Sequence, residues 1–302
     1  MSANMIEKTR FFPQTDPPLS PRQILPTMYD LPSEDPEEPG LPDEYHCYQS
    51  PLLRHTFRPV NVDLDRVFVG IDLNLYYDWQ HSNWYKRPDW FAVLGVSRLY
   101  EGENLRLSYV MWQEQVSPFV IVELLSSSTA DEDLGRTVSQ AGRPPTKWYV
   151  YEQILRVPYY VVFSGTTNEI LGFRLVAGVY EQAELIGGCL PIPQLGLSLG
   201  LWQGIYEKID RTWLRWFTLE GELILTPQEE SEQQAAEAEQ QTAESEQRAA
   251  ESEQRAAESE QRAAESEQRA AESEQRAAES EQRAQRLAAK LRELNIDPDE
   301  LH

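Results

Sequence analysis

PFVIVELL at 118–125 is the stretch on which the fold turns. It is apolar on both faces of an extended chain, as expected of a strand buried at the centre of a sheet. Glu123 interrupts it. An ionised carboxylate inside a buried strand is costly unless a cation or several hydrogen bonds compensate it, so this residue needs a partner. A buried salt bridge or a strand end reaching water meets that need as well as a functional site does.

On the N-terminal side, VFVGIDLNLYY at 67–77 alternates, with Val69, Ile71, Leu73 and Leu75 on one face and Gly70, Asp72 and Asn74 on the other. Period two predicts a strand with one polar face. Further strands are expected at 90–96 (WFAVLGV) and 107–113. On the C-terminal side, Thr129 with Glu132 three residues on fits a capping box, and Asp131 to Asp133 suit the positive end of a helix. That structural role accounts for these acids without any chemistry. After the AGRPP interruption at 141–145, TKWYVYEQIL at 146–155 reads as helix and PYYVVF at 158–163 as strand. Residues 170–225, including TWLRWF at 212–217, read as a peripheral β-meander. Four strands, a helix and a further strand predict a mixed α/β sheet.

The chain has 302 residues, enough for two units, and a formal net charge of −23. All eight Trp lie between Trp79 and Trp216, which puts the core in the middle of the chain. Residues 1–44 contain nine of the 20 prolines and the acidic run SEDPEEPGLPDE, so an extended arm is expected there. The folded domain is expected over 45–226 and a helical tail over 227–302. No run approaches the ~18 apolar residues of a membrane span, and MSANMIEKTRFF has no apolar stretch of a secretory signal. The expected address is the cytoplasm. Cys47 and Cys189, without a CxxC, suggest reduced thiols, and His46, His55, His81 and His302 show no metal-binding spacing.

From 235 the tail repeats every seven residues: AAEAEQQ, TAESEQR, then AAESEQR five times over 249–283. Strong helix formers without Gly or Pro from Gln228 to Asp297 predict one long helix. Glu244 to Arg248 and its copies place Glu before Arg at the favourable four-residue spacing. Adjacent alanines make a thin seam for pairing, whereas Ala284, Leu287, Leu291 and Leu294 suit a short coiled coil. From Pro227 onward there are 21 acidic and 9 basic residues, and before it 29 and 18, so neither part is basic. Any nucleic-acid chemistry must rest on a local site.

RPDWFAVLGV (87–96), PFVIVELLSSST (118–129) and KWYVYEQILRVPYYVVF (147–163) together resemble the Uma-two family of restriction-type endonucleases, a branch of the PD-(D/E)XK nuclease superfamily. The resemblance spans about 45–220. It implies a restriction-endonuclease-like mixed sheet with flanking helices, whose strand ends present an Asp and a Glu to Mg²⁺, with Mn²⁺ as a substitute, and a Lys nearby. Asp89 and Glu123 take the acidic positions. Leu125 stands where the superfamily has its Lys, and Lys147, four residues before Tyr151, fits the displaced position. Asp72 is a candidate third carboxylate.

Those residue types suit the chemistry. Mg²⁺ takes one or two carboxylates and fills its remaining positions with water and phosphate oxygens. A lysine beside it stabilises charge in the transition state. Lys86 and Arg87 with Trp84, Tyr85 and Trp90 suggest a rim for a phosphate backbone and a stacked base, or else a tryptophan core with a charged edge. The expectation is a metal-dependent endonuclease acting on DNA, with a homodimer through the nuclease domain or the C-terminal helix. The alternative is a catalytically weak nuclease fold that assembles through its acidic helix.

Overall fold

The computed structural model describes residues 16–17, 19–20, 43–60, 62–126, 130–139 and 142–293. The chain divides into two units, 1–227 and 228–302. Helix α1 (Glu44–Thr56) opens the first. Asp43 caps it, its carboxylate accepting the His46 N–H at 3.0 Å. The main sheet has six strands: β1 (Val67–Ile71), β4 (Trp90–Leu94), β6 (Val120–Leu124), β7 (Tyr159–Ser164), β8 (Glu169–Val176) and β9 (Val179–Gln182), adjacent in that order. Within it only β6 and β7 run parallel; the other neighbours are antiparallel. This is the mixed α/β architecture the sequence predicts.

A parallel pair needs a crossover, and the segment joining β6 to β7 supplies one. It contains the short helix α3 (Ala130–Asp133) and α4 (Lys147–Tyr149), which runs on as a π-helical turn, Val150–Ile154. That turn lays Val150, Tyr151 and Leu155 over one face of the sheet, against Phe91, Ile121, Tyr160 and Val162. A small sheet of β2 (Leu75–Tyr76), β3 (Tyr85–Lys86) and β5 (Tyr109–Val110) covers the same side through Leu75 and Tyr109. Against the other face pack α1 and a second three-stranded sheet, β10 (Cys189–Ile192), β11 (Leu197–Tyr206) and β12 (Ile209–Thr218). Covered on both sides, β6 is buried along its whole length.

Three expectations need correction. The strand over 67–77 is broken in two, because Asp72 adopts a left-handed backbone (φ 49°). A period-two pattern does not register such a turn. The strand over 107–113 reduces to β5, followed by helix α2 (Met111–Glu114). The meander is central: β8 and β9 extend the main sheet, and Leu190, Leu199, Leu214 and Trp216 of β10–β12 are fully or almost fully buried in the core. Leu214 and Trp216, two apart on β12, face the core. Of the two readings of the edge around Asp89, Trp90 bears out the tryptophan core, at 0% exposure.

The expected arm over 1–44, apart from residues 16–17, 19–20 and 43–44, and the Thr129 cap lie outside the described residues. Both cysteines are free thiols. No helix among the described residues is long and apolar enough to cross a membrane.

In the second unit, helix α5 (Pro227–Glu293) is one continuous element with no buried residue. Its side-chain ladder is mainly amide to carboxylate: Gln247 donates to Glu251 at 3.1 Å, Gln254 to Glu258 at 3.2 Å, and the pattern recurs along the repeat. Of the expected Glu–Arg pairs, Glu244–Arg248 forms among the described residues, at 3.6 Å. Leu287 is 55% exposed, and Leu294, the last position of the expected leucine seam, is outside the described residues.

Candidate active site

Strand register brings the first two residues together. β4 and β6 pair antiparallel with Trp90 opposite Val122 and Phe91 opposite Ile121, so one step back Asp89 stands opposite Glu123. Directly opposed residues of an antiparallel pair point to the same face. The contacts agree: Asp89 Oδ2 accepts the Leu124 N–H at 2.6 Å, and Glu123 Oε2 lies 3.4 Å from the Asp89 N–H.

The crossover segment supplies the cation. Lys147, first residue of α4, places its Nζ 3.1 Å from Glu123 Oε2 and 2.9 Å from Asp133 Oδ1. One turn on, Tyr151 donates its hydroxyl to Glu123 Oε1 at 2.7 Å. Glu132 joins these helices to β3: its Oε1 accepts both the Lys147 N–H and the Lys86 ammonium at 2.8 Å. Asp133 is completely buried, as is Glu123. Sequence reasoning assigned it to a helix end and missed it; the signal was three consecutive acids ahead of a lysine-led helix.

Burial and crowding set the charges. Glu123 is pushed well above the ordinary carboxylate range by burial, with the charges of Asp133 and Asp89 adding to the effect and Lys147 opposing it. Burial also raises Asp89, against the pull of Lys147 and His46. For Lys147 burial opposes the charge, but the carboxylates of Glu123, Asp133 and Asp89 outweigh it and keep the ammonium protonated.

His46 completes the shell from α1. Its Nδ1 lies 2.6 Å from Asp43 Oδ1, and its Nε2 is 3.2 Å from the Leu124 carbonyl and 4.0 Å from Asp89 Oδ1. Burial alone would lower its pKa. The Asp43 hydrogen bond and the charges of Asp89 and Asp43 prevail and raise it to about 9. The sequence signal was only an Asp and a His three apart at a helix start.

Asp72 reaches the site through its backbone, its N–H facing the carbonyls of Pro88 and Asp89 at 3.2 and 3.3 Å. Its carboxylate is held by Arg87 at 2.6 Å and joins no side chain of the Asp89–Glu123–Lys147 group. Lys86 is likewise paired, with Glu132. The two cations expected at the rim are therefore both neutralised. Trp84 stacks on His81 at 3.8 Å, and Tyr85 is 44% exposed.

Among the described residues no group of three or more His, Cys, Asp or Glu side chains could hold a metal ion by itself. The pair Asp89 and Glu123 nevertheless fits Mg²⁺, which needs one or two carboxylates when water and phosphate complete its shell. Asp89 is 23% exposed at its side chain, so the pair has a path to solvent.

A sequence model named Uma2, described as "Putative restriction endonuclease", matches residues 26–211. No curated protein matches the chain. A solved structure from Anabaena variabilis ATCC 29413, described as "a putative nuclease belonging to DUF820", is similar at a TM-score of 0.36 and 10% identity, covering 52% of this chain and 77% of that one.

Proposed function

The chain belongs to the Uma2 family, and from that premise we propose that it is a metal-dependent endonuclease hydrolysing phosphodiester bonds of DNA. The observation that supports this reading is the convergence of Asp89, Glu123 and Lys147, three residues from separate segments, on one partly exposed point. Asp89 and Glu123 would hold Mg²⁺ or Mn²⁺. Such a cation, when bound, neutralises charge at the phosphoryl oxygens and acidifies a water.

The chain's own groups do the positioning. Lys147 donates to Glu123 and is ion-paired with Asp133, and an ammonium with three N–H donors keeps capacity for a phosphoryl oxygen. There it offsets charge that grows in the transition state. Tyr151 fixes the rotation of Glu123 through Oε1. The Leu124 N–H fixes Asp89 through Oδ2. His46, held by Asp43, adds positive charge beside Asp89.

The test is nicking of supercoiled plasmid by the purified chain with Mg²⁺ or Mn²⁺, beside EDTA and Glu123→Gln. Metal-dependent nicking lost in the variant is expected. Equal inertness of both proteins, with no metal binding by calorimetry, would overturn the reading in favour of an interaction module.

A further inference from the structure

A second feature lies along β1, the free edge of the main sheet. A groove of about 370 Å³ runs beside it. Four guanidinium-bearing residues, Arg54, Arg58, Arg98 and Arg106, line it together with apolar side chains, and among the described residues no Asp or Glu does. In a chain with a net charge of −23 that local exclusion of acids stands out.

The four arginines are not equivalent. Arg106 is engaged, with Glu114 at 2.6 Å and over the Phe68 ring at 4.4 Å. Among the described residues, no carboxylate lies within ion-pair distance of Arg54, Arg58 or Arg98. Arg54 and Arg98 are exposed, and Arg58 is half-buried with one N–H on the Phe57 carbonyl. Three positive groups thus border one edge without a countercharge among the described residues.

At one end the groove's lining reaches the backbone beside Asp89. Ile71, which lines it, pairs with Trp90, the residue after Asp89, and the neighbouring Asp72 N–H faces the Asp89 carbonyl at 3.3 Å. Five strand residues span roughly 16 Å, enough for about four phosphates at the axial spacing of one DNA strand. We propose that this arginine groove binds the sugar–phosphate backbone of the DNA substrate and leads it to the Asp89–Glu123 site. The assignment rests on the endonuclease reading. A second copy is the poorer occupant, because a two-fold edge-to-edge pairing would set these arginines against themselves.

The test is fluorescence anisotropy of a labelled DNA duplex with the full chain in EDTA, over a series of salt concentrations. The proteins are wild type, the double variant Arg54→Gln/Arg98→Gln, and Lys208→Gln as a remote exposed control, each checked for an unchanged melting temperature. The double variant should bind on the order of tenfold or more weakly at low salt, with a log–log salt slope smaller by about 1.8. The control should match wild type. Absence of duplex binding by wild type, an unchanged slope in the double variant, or an equal per-charge loss in the control would each overturn the groove. Plasmid nicking run in parallel separates the two readings. Nicking lost in Glu123→Gln with groove-independent binding refutes the groove alone, whereas groove-dependent binding without nicking refutes the endonuclease alone.

Discussion

Asp133 and Glu123 share one ammonium group, that of Lys147, at 2.9 and 3.1 Å, and both carboxylates are buried. Removing the cation and removing one anion are therefore unequal changes. Lys147→Met leaves the buried carboxylates without their common counterion and is expected to cost about 3–5 kcal/mol of stability. Asp133→Asn removes a like charge from Glu123 along with a partner of Lys147, and should cost less than half as much. Urea denaturation of the two variants decides this, and equal losses would show that Asp133 is needed as an anion for folding.

Tyr151→Phe keeps the ring packed against Tyr160, at a 5.4 Å centroid distance, but deletes the donor to Glu123 Oε1. Hydrogen bonds to charged groups contribute about 1.5–3 kcal/mol, and a destabilisation in that range is expected. Nicking should fall along with stability. A variant as stable as wild type would indicate that Glu123 is protonated and has no need of the phenol.

Because the pKa of His46 is raised on folding, from 6.5 to about 9, its protonated form favours the native state. That contribution is fully present below about pH 6.5 and is lost as pH rises through about 9. His46→Gln should therefore melt below wild type near neutral pH, and the two melting curves should converge as pH rises to about 10. Parallel melting temperatures across that range would contradict the Asp43–His46–Asp89 arrangement.

Salt separates two accounts of the long helix. With Gln–Glu hydrogen bonds as the recurring side-chain link and Glu244–Arg248 the ion pair formed among the described residues, the far-UV circular dichroism at 222 nm should change little up to about 1 M salt. A marked loss of helical signal would mean that the Glu–Arg pairs dominate in solution.

The parts legible in the sequence were those governed by local pattern. The apolar run gave β6 and its central place, and Glu123 within it declared the need for a partner. Helix α5 followed from composition and period. Asp72 was misread because alternation continues through a residue whose backbone turns left-handed. Asp133 was invisible as a site residue because helix-end acids and buried acids look alike until α3 and α4 meet. The arginine groove was equally hidden, since Arg54 and Arg98 are 44 positions apart and only the free edge of β1 unites them.

The repeat in α5 has a consequence for length. AAESEQR recurs five times over 249–283, each copy advancing the helix by about 10.5 Å and leaving it only about 20° short of two full turns. Gain or loss of one copy therefore displaces the C-terminal end of the helix along its axis while scarcely rotating it. Changing the number of copies would thus reset the helix's length in equal steps, each with only a small turn of its far end.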